Sequence, residues 1–240
     1  MKTGLGDGPV LLAFDTATEH IALAAGTPAA VHTLVAPGGA AASAALVPAL
    51  RELLARGGHR FDDLAAIAFG RGPGAFTGLR TSAAVAQGLA FGTGAPVLAI
   101  DSLLIVAEGA RGAGAGPDIV VAMDARMGEV YAARYHHDGT RWHTRVPPML
   151  CSPAALMQTW EHGPLPDAVA GSAIAAFGDR IAWPAQAVRH GEEADRAAAL
   201  WRLALGAFHA GERLDAADAL PLYLRDKVAL TTAERAAAAR

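Results

Sequence analysis

Apolar positions along the chain fall into two periods. Short unbroken runs, each bounded by a polar or glycine-rich turn, read as buried strands, and longer segments with apolar residues three and four apart read as helices. The first run, VLLAF, stops at Asp15. After the polar turn TATEH, the run IALAA reads as the returning arm of a hairpin. A third run, AAVHTLVA, follows. The spacing then predicts a helix over 42–56, with Leu46, Val47, Leu50, Leu53 and Leu54 on one side and Pro48 either kinking it or marking its true start. A strand AAIAF, a glycine-rich turn, a helix LRTSAAVAQGLAFG and a strand PVLAI come next. Residues 109–117, GARGAGAGP, have the composition of a linker. Beyond it, EVYAARYHH reads as a strand and SPAALMQTWEH as a helix capped by Ser152, with Pro153 at its first position. A long helix is predicted over 193–211, with Leu200, Leu203, Ala204, Ala207 and Phe208 on one face, and TTAERAAAAR reads as a frayed tail.

Two of these segments are versions of one another. LLAFDTATEHIALAA (11–25) and VVAMDARMGEVYAAR (120–134) align without a gap, each an apolar run ending in aspartate, a short polar turn and a second run. The chain therefore reads as two lobes, each opening with a strand hairpin and continuing into a mixed sheet flanked by helices. This is an α/β fold, and one distinct from a plain doubly wound sheet, which would open with βαβ. The expected boundaries are 1–108 for the first lobe, 109–117 for the linker, 118–227 for the second lobe with its last segment packing back on the first, and 228–240 for the tail.

Composition narrows the class. With 240 residues, 52% of them hydrophobic and 18% charged, the chain can bury a substantial core. A net charge of -3 argues against a surface that grips nucleic acid by itself. The single cysteine, Cys151, allows no internal disulfide, and no run approaches membrane-spanning length, so a cytoplasmic protein without membrane contact is expected.

Candidate chemistry is sparse. GRGPGAFTGLR (70–80) is rich in glycine, yet Gly72 and Gly78 stand too far apart for a phosphate-cradling Walker loop and no lysine follows. Gly70, Gly72 and Ala75 do fit the looser G-x-G-x-x-A dinucleotide pattern, with Asp101 ending the next strand. The same Gly70, Gly72, Gly74 and Gly78 would equally serve a turn that needs positive φ and close backbone approach, stiffened by Pro73. Asp15 with Thr16, and Asp124 with Arg126, sit at the tips of the two first strands, where acids can position a metal-bound nucleotide between lobes or simply cap their own turns. Both readings stand. Cys151 precedes a helix start but has no base beside it, His136 and His137 point to opposite faces of a strand, and no metal-binding spacing is present.

The helix after the glycine turn carries a different signal. From Gly72 to Ile100 the only charge is Arg80. Leu79, Ala83, Ala86 and Ala90 form one stripe, and Arg80, Ala84, Gln87 and Phe91 form its neighbour. One stripe faces the sheet, and the other is either buried within the chain or covered by another subunit; the subunit is the expectation, with Leu46 and Leu50 of the preceding helix beside it.

GRGPGAFTGLR followed by AQGLAFG, then MDARMGEVYAARY, then PLYLRDKVA together resemble the TsaB (YeaZ) family, from about Val10 to Lys227. The resemblance implies the duplicated actin/sugar-kinase (ribonuclease H-like) fold. It also implies a non-catalytic subunit that pairs with TsaD and works with the ATPase TsaE to place threonylcarbamoyl on the adenosine next to the anticodon of tRNAs reading codons that begin with A. No tightly bound cofactor is implied; ATP or ADP would be held only at the interface of the complex, tRNA would be met only through it, and the free chain would be a homodimer. The paralogous TsaD carries an H-x-x-x-H metal pair after the strand matching PVLAI, where this chain has Ser102 and Val106. The glycine turn, on this reading, aims its helix at a partner and is not a phosphate loop.

Overall fold

The computed structural model describes residues 8–38, 42–191 and 195–225, and for 42–43 the backbone alone. The expected tail and the end of the PLYLRDKVA motif lie outside the described residues. In chain order the elements are β1 (Val10–Asp15), β2 (His20–Thr27), β3 (Ala30–Pro37), α1 (Ala42–Arg56), β4 (Leu64–Gly72), α2 (Phe76–Thr93), β5 (Val97–Asp101) and α3 (Ser102–Gly112). There follow β6 (Asp118–Asp124), β7 (Val130–His137), β8 (Trp142–Cys151), α4 (Pro153–Glu161), β9 (Ala168–Ala170), α5 (Ala173–Phe177), β10 (Val188–His190) and α6 (Arg196–His209). They build two five-stranded mixed sheets of the same design, ordered β3-β2-β1-β4-β5 and β10-β9-β6-β7-β8. In each, the first strand pairs antiparallel with its hairpin partner on one side and parallel with a later strand on the other.

The repeat is thus structural. The two hairpins differ by one residue: Asp15 pairs with Ala22, whereas Asp124 pairs with Val130, so the second turn is the tighter. It closes with Arg126 and Met127 at positive φ (62° and 56°), an unusual conformation for side-chain-bearing residues.

Five layers result. On the outer face of the first sheet, Leu46, Leu50, Leu53 and Leu54 of α1 and Ala83, Ala86 and Ala90 of α2 pack on Leu12, Phe14, Leu23, Ile67 and Phe69. On its inner face, Ala199, Leu200, Trp201, Ala204 and Ala207 of α6 meet Leu11, Ala13, Ala24, Ala66, Ala68 and Leu98. Alanine on both helix and strands lets the backbones approach closely. The second sheet is covered by α3 on one face and by α4 and α5 on the other. Ser152 accepts the Ala155 N–H at 3.2 Å and Pro153 opens α4, as its sequence requires.

Several expectations need correction. Residues 109–112 are not linker but the last turn of α3, with Gly109 and Ala110 buried. α3 sits between the lobes, giving Ile105 to one core and Leu103, Val106, Ala107 and Ala110 to the other. The end of the 118–227 stretch packs back on the first lobe, as the expected boundaries allowed, and it does so from α6 onward, which completes the first lobe's core. α1 runs through Pro48 from Ala42, so the proline does not mark its start. Val47 is on the exposed side of α1, apart from the four leucines. The return to the first lobe continues past α6: Leu214 bridges to Val97, and Leu222 N–H donates to the Arg71 carbonyl at 2.7 Å.

Between the sheets lies a buried acid, Glu108 of α3. It accepts from Arg111 at 3.0 Å, from the Trp142 indole at 2.9 Å and from Arg202 of α6, joining three elements. Burial alone would push the Glu108 carboxyl up, but the hydrogen bonds from Arg111, Arg202 and Trp142 outweigh it and hold the pKa below the ordinary glutamate value. A depressed folded pKa means stabilisation that is complete above the unfolded value, near 4.3, and lost as pH falls through the folded one. Glu108→Gln should therefore cost about 3 kcal/mol at neutral pH, since both arginines lose their charge partner and can only partly rehydrate. In urea titrations across pH 3–7, the gap between parent and variant should narrow as the solution becomes acid; a constant gap would show that Glu108 is not ionised in the fold.

Candidate functional site

The aspartates that the sequence offers for a nucleotide stand at the tips of β1 and β6. Asp15, at the end of β1, is fully buried. Its carboxylate accepts the Ala17 N–H at 2.9 Å and the Ser102 hydroxyl at 3.2 Å, and is ion-paired with Arg196 at the start of α6, itself buried. An acid so engaged caps its own turn and anchors a helix. Of the two readings open from sequence, the capping one describes Asp15.

Thr16 is likewise turned inward. Its hydroxyl donates to the Gly78 carbonyl at 2.6 Å, so the Ser82 hydroxyl, 2.7 Å away, is the donor to Thr16. These bonds press the β1–β2 turn against the glycine-rich segment, and Ala75 N–H adds a third link to the Ala17 carbonyl at 2.8 Å. The glycines follow from that contact. A Cβ on Gly70 would strike the Asp15 carboxylate, one on Gly74 the Ala17 carbonyl and one on Gly78 the Thr16 carbonyl. Gly72 has φ 106° and a Cβ there would run into Leu79. Pro73 follows Gly72 through a cis peptide bond, and the Gly72 N–H donates to Ser102 Oγ at 3.0 Å. Each glycine thus faces the molecule's own backbone or side chains. The dinucleotide reading of Gly70–Ala75 is set aside on this geometry, because the space it would offer a pyrophosphate is filled by residues 15–17.

The second tip is more open. Asp124 accepts the Arg126 N–H at 2.9 Å and the Arg126 guanidinium at 3.3 Å, while its own N–H donates to Ser172 Oγ at 3.1 Å. Arg126 also reaches Glu19 of the first lobe, forming an exposed bridge across the cleft. Asp124 therefore caps its turn as Asp15 does, with an arginine from its own turn in place of one from α6. Ser102 and Val106 have structural duties, the hydroxyl between Gly72 and Asp15 and the valine in the core shared with the second sheet. Cys151 is half-buried, and burial, with Glu129 nearby, raises its thiol pKa, opposite to what a nucleophile requires.

On α2 the two stripes separate as their residue types demand. Leu79, Ala83, Ala86 and Ala90 are buried. Ala84 is exposed and Phe91 is 72% exposed. The other expected face residues have partners within the chain. Arg80 lies over the Phe76 ring at 3.9 Å and donates to the Tyr223 hydroxyl at 3.2 Å, and Gln87 donates to the Ala219 carbonyl at 3.4 Å. The segment 219–223 thus lies along one side of α2, a neighbour that helix periodicity cannot reveal. Leu46 and Leu50 are corrected outright: both are fully buried in the first lobe's core and offer nothing to a second subunit. The residue that sequence reasoning missed is Arg196. Its signal was present, since it falls four before Leu200 on the apolar stripe of α6, where a charge must meet an acid.

The family model for TsaD, tRNA N6-adenosine threonylcarbamoyltransferase, matches residues 35–229. A curated Escherichia coli relative, "tRNA threonylcarbamoyladenosine biosynthesis protein TsaB", is 31% identical over 227 residues, covering 91% of this chain and 96% of that protein. The solved structure of YeaZ from Pseudomonas aeruginosa superposes with a TM-score of 0.79 at 32% identity, covering 90% of this chain and all of that one. A second Pseudomonas aeruginosa structure, described as an uncharacterized protein with similarity to peptidase YEAZ, gives 0.81 at 34% identity over 90% of this chain and 100% of that one.

If the glycine turn is shaped by the β1–β2 turn, Gly78→Ala should destabilise the protein by about 1–3 kcal/mol through overpacking. Gly88→Ala, on the same helix with open space around its Cβ position, should stabilise it by about 0.5–1 kcal/mol. Chemical denaturation of the two variants checks this; equal effects would mean the two turns do not touch.

Proposed function

Because the chain belongs to the TsaB (YeaZ) family, we propose that it serves tRNA threonylcarbamoyladenosine biosynthesis as a non-catalytic subunit that pairs with TsaD and, through that pair, with TsaE. It meets tRNA only in that complex, and the tRNAs served are those reading codons that begin with A. The observation that carries the reading is the exposed face of α2, where a phenylalanine stands in solvent on a helix whose only charge is Arg80. A helix side meant for water would be charged; an aromatic ring flanked by Ala84 and Gly88 suits a partner helix that packs closely. The process comes from the Escherichia coli relative's name, and the partner is supported by the match to the TsaD model.

The tips of β1 and β6 support a subunit that leaves chemistry to its partner. The ion pairs of Asp15 with Arg196 and of Asp124 with Arg126 support this reading, since each would compete with a nucleotide's metal for the acid. ATP should bind the isolated chain weakly, with a Kd in the high micromolar range or above, about -5 kcal/mol or less favourable. Calorimetry giving a low-micromolar Kd would contradict this.

The reading is tested by reconstitution with TsaD, TsaE, tRNA and threonylcarbamoyl-adenylate. The chain alone should form no modified nucleoside, and leaving it out should drop the full reaction toward background. Ala84→Glu should weaken pairing with TsaD by about a hundredfold or more, because a carboxylate would be buried unpaired against a close-packed helix. Its melting temperature should stay near the parent's, whereas Ala83→Glu, on the buried stripe, should unfold the protein. An Ala84→Glu chain that binds TsaD normally would remove α2 from the interface.

A further inference from the structure

Adjacent in sequence, His136 and His137 cannot share one ion, and the structure keeps them apart. His137 packs edge-on against the Trp142 ring, with ring centroids 5.0 Å apart, and its Nδ1 accepts the Gly139 N–H at 3.1 Å. Tyr135 and Trp142 lie in the core under α3, so His137 belongs to that face of the second sheet. Strand alternation turns His136 to the other face. There a second imidazole meets it, supplied by the next strand: His136 of β7 stands directly opposite His143 of β8. Such cross-strand partners share a face, with Cβ atoms about 4.5–5.5 Å apart. Both rings are half-exposed, which leaves a way in from solvent.

The turn between these strands prepares one of the two rings. Asp138 Oδ1 accepts the Thr140 N–H at 2.8 Å, the Thr140 hydroxyl at 2.7 Å and the Arg141 N–H at 2.9 Å, so the turn itself fixes the carboxylate. Its other oxygen, Oδ2, meets His143 Nε2 at 2.6 Å. A carboxylate accepts, so His143 Nε2 carries the proton and, in the neutral ring, Nδ1 carries the free lone pair. Carboxylates behind metal-bound histidines set tautomer and ring orientation in this way. The His136 ring has no hydrogen-bond partner among the described residues, and the Asp118 carboxylate opposite it on β6 is taken by Arg134 at 2.7 and 2.9 Å. We infer that His136 and His143 form a two-imidazole site for a late first-row divalent cation, Cu(II), Ni(II) or Zn(II), with Asp138 behind His143 and water in the remaining positions. Imidazole suits these metals, whereas Mg(II) prefers oxygen ligands. Among the described residues no group of three or more His, Cys, Asp or Glu side chains is placed to hold a metal, so the pair is an open, exchangeable site and not a closed structural one. A bound cation would tie β7 to β8 beside the register breaks that flank Arg134. The site uses no part of α2 and stands whether or not TsaD docks there.

The experiment is calorimetric titration of the untagged chain at neutral pH with the chlorides of Cu(II), Ni(II), Zn(II) and Mg(II). Cu(II) should bind most tightly and Mg(II) not at all. His136→Ala and His143→Ala should each weaken Cu(II) binding at least about tenfold, and Asp138→Asn, which keeps both ligands but loses the acceptor behind His143, about tenfold. The two alanine variants change half-exposed side chains, so their metal-free melting temperatures should stay near the parent's. A second measurement needs no variant. In proton–nitrogen correlation spectra of the parent's imidazoles, substoichiometric Cu(II) should broaden His136 and His143 ahead of the other histidines. A chain that takes up none of the three transition metals, Cu(II) binding that both alanine variants keep in full, or broadening that falls first on other histidines would each overturn the inference.

Discussion

The buried ion pair between Asp15 and Arg196 is the constraint on which the arrangement of this molecule turns. Asp15 ends the first strand, and Arg196 begins the helix that returns from the far end of the chain. Burying these charges is favourable only because they meet, and removing one takes from the other a buried charged partner, at a cost of several kcal/mol. The pair therefore fixes where α6 starts along the first sheet. Gly70 follows from it, since the strand beside Asp15 must leave room for the carboxylate. Ser102 follows as well, its hydroxyl donating to the same carboxylate while holding the Gly72 N–H.

Such a pin matters more in a chain built of alanine than in one built of larger side chains. Around Leu200 and Trp201, the contact between α6 and the first sheet sets Ala199, Ala204 and Ala207 against Ala13, Ala24, Ala66 and Ala68. Methyl groups on both sides pack densely but interlock little, so apolar burial alone would tolerate α6 sliding along its axis. Charged hydrogen bonds are directional. Asp15–Arg196 sets one end of α6, and Arg202 to Glu108 sets its middle against α3. Glu108 also takes the Trp142 indole from β8, so one carboxylate relates the first lobe's helix to the second lobe's sheet. The lobes are joined by these polar nodes as much as by oil.

The duplicated hairpin was legible because strand and turn are local events: an apolar run, an aspartate and a polar turn specify the same geometry wherever they occur. The division of α2 into buried and exposed stripes was legible for the same reason. What escaped depended on chain segments distant in sequence. Residues 109–112 read as linker by composition, yet Leu103, Val106, Ala107 and Ala110 bury the α3 face that includes them, and tertiary packing overrides two glycines. Leu46 and Leu50 read as surface because an apolar stripe does not say which sheet covers it. The glycine turn was ambiguous between a ligand and the chain itself, and only the position of residues 15–17 decides. Arg196 and Glu108 carried a usable signal, each a charge on an apolar helix face, and a search for such charges would have paired the acids and bases by elimination.

The two hairpin tips show how one motif takes different roles. Both aspartates accept an N–H from two residues ahead, Ala17 to Asp15 and Arg126 to Asp124, each at 2.9 Å. The first tip is overlaid by the glycine turn and drawn into the core by Arg196. The second, one residue tighter, puts Arg126 and Met127 at positive φ and turns them outward. Arg126 then meets Glu19 across the cleft, and Arg225 from the C-terminal segment reaches Glu129 at 2.6 Å and the Ala125 carbonyl at 3.1 Å. The C-terminal segment thus passes along α2, crosses the cleft and ties down the second turn. The exposed side of α2 and the second hairpin turn thus share one neighbouring segment, whose Leu220 and Tyr223 are both exposed.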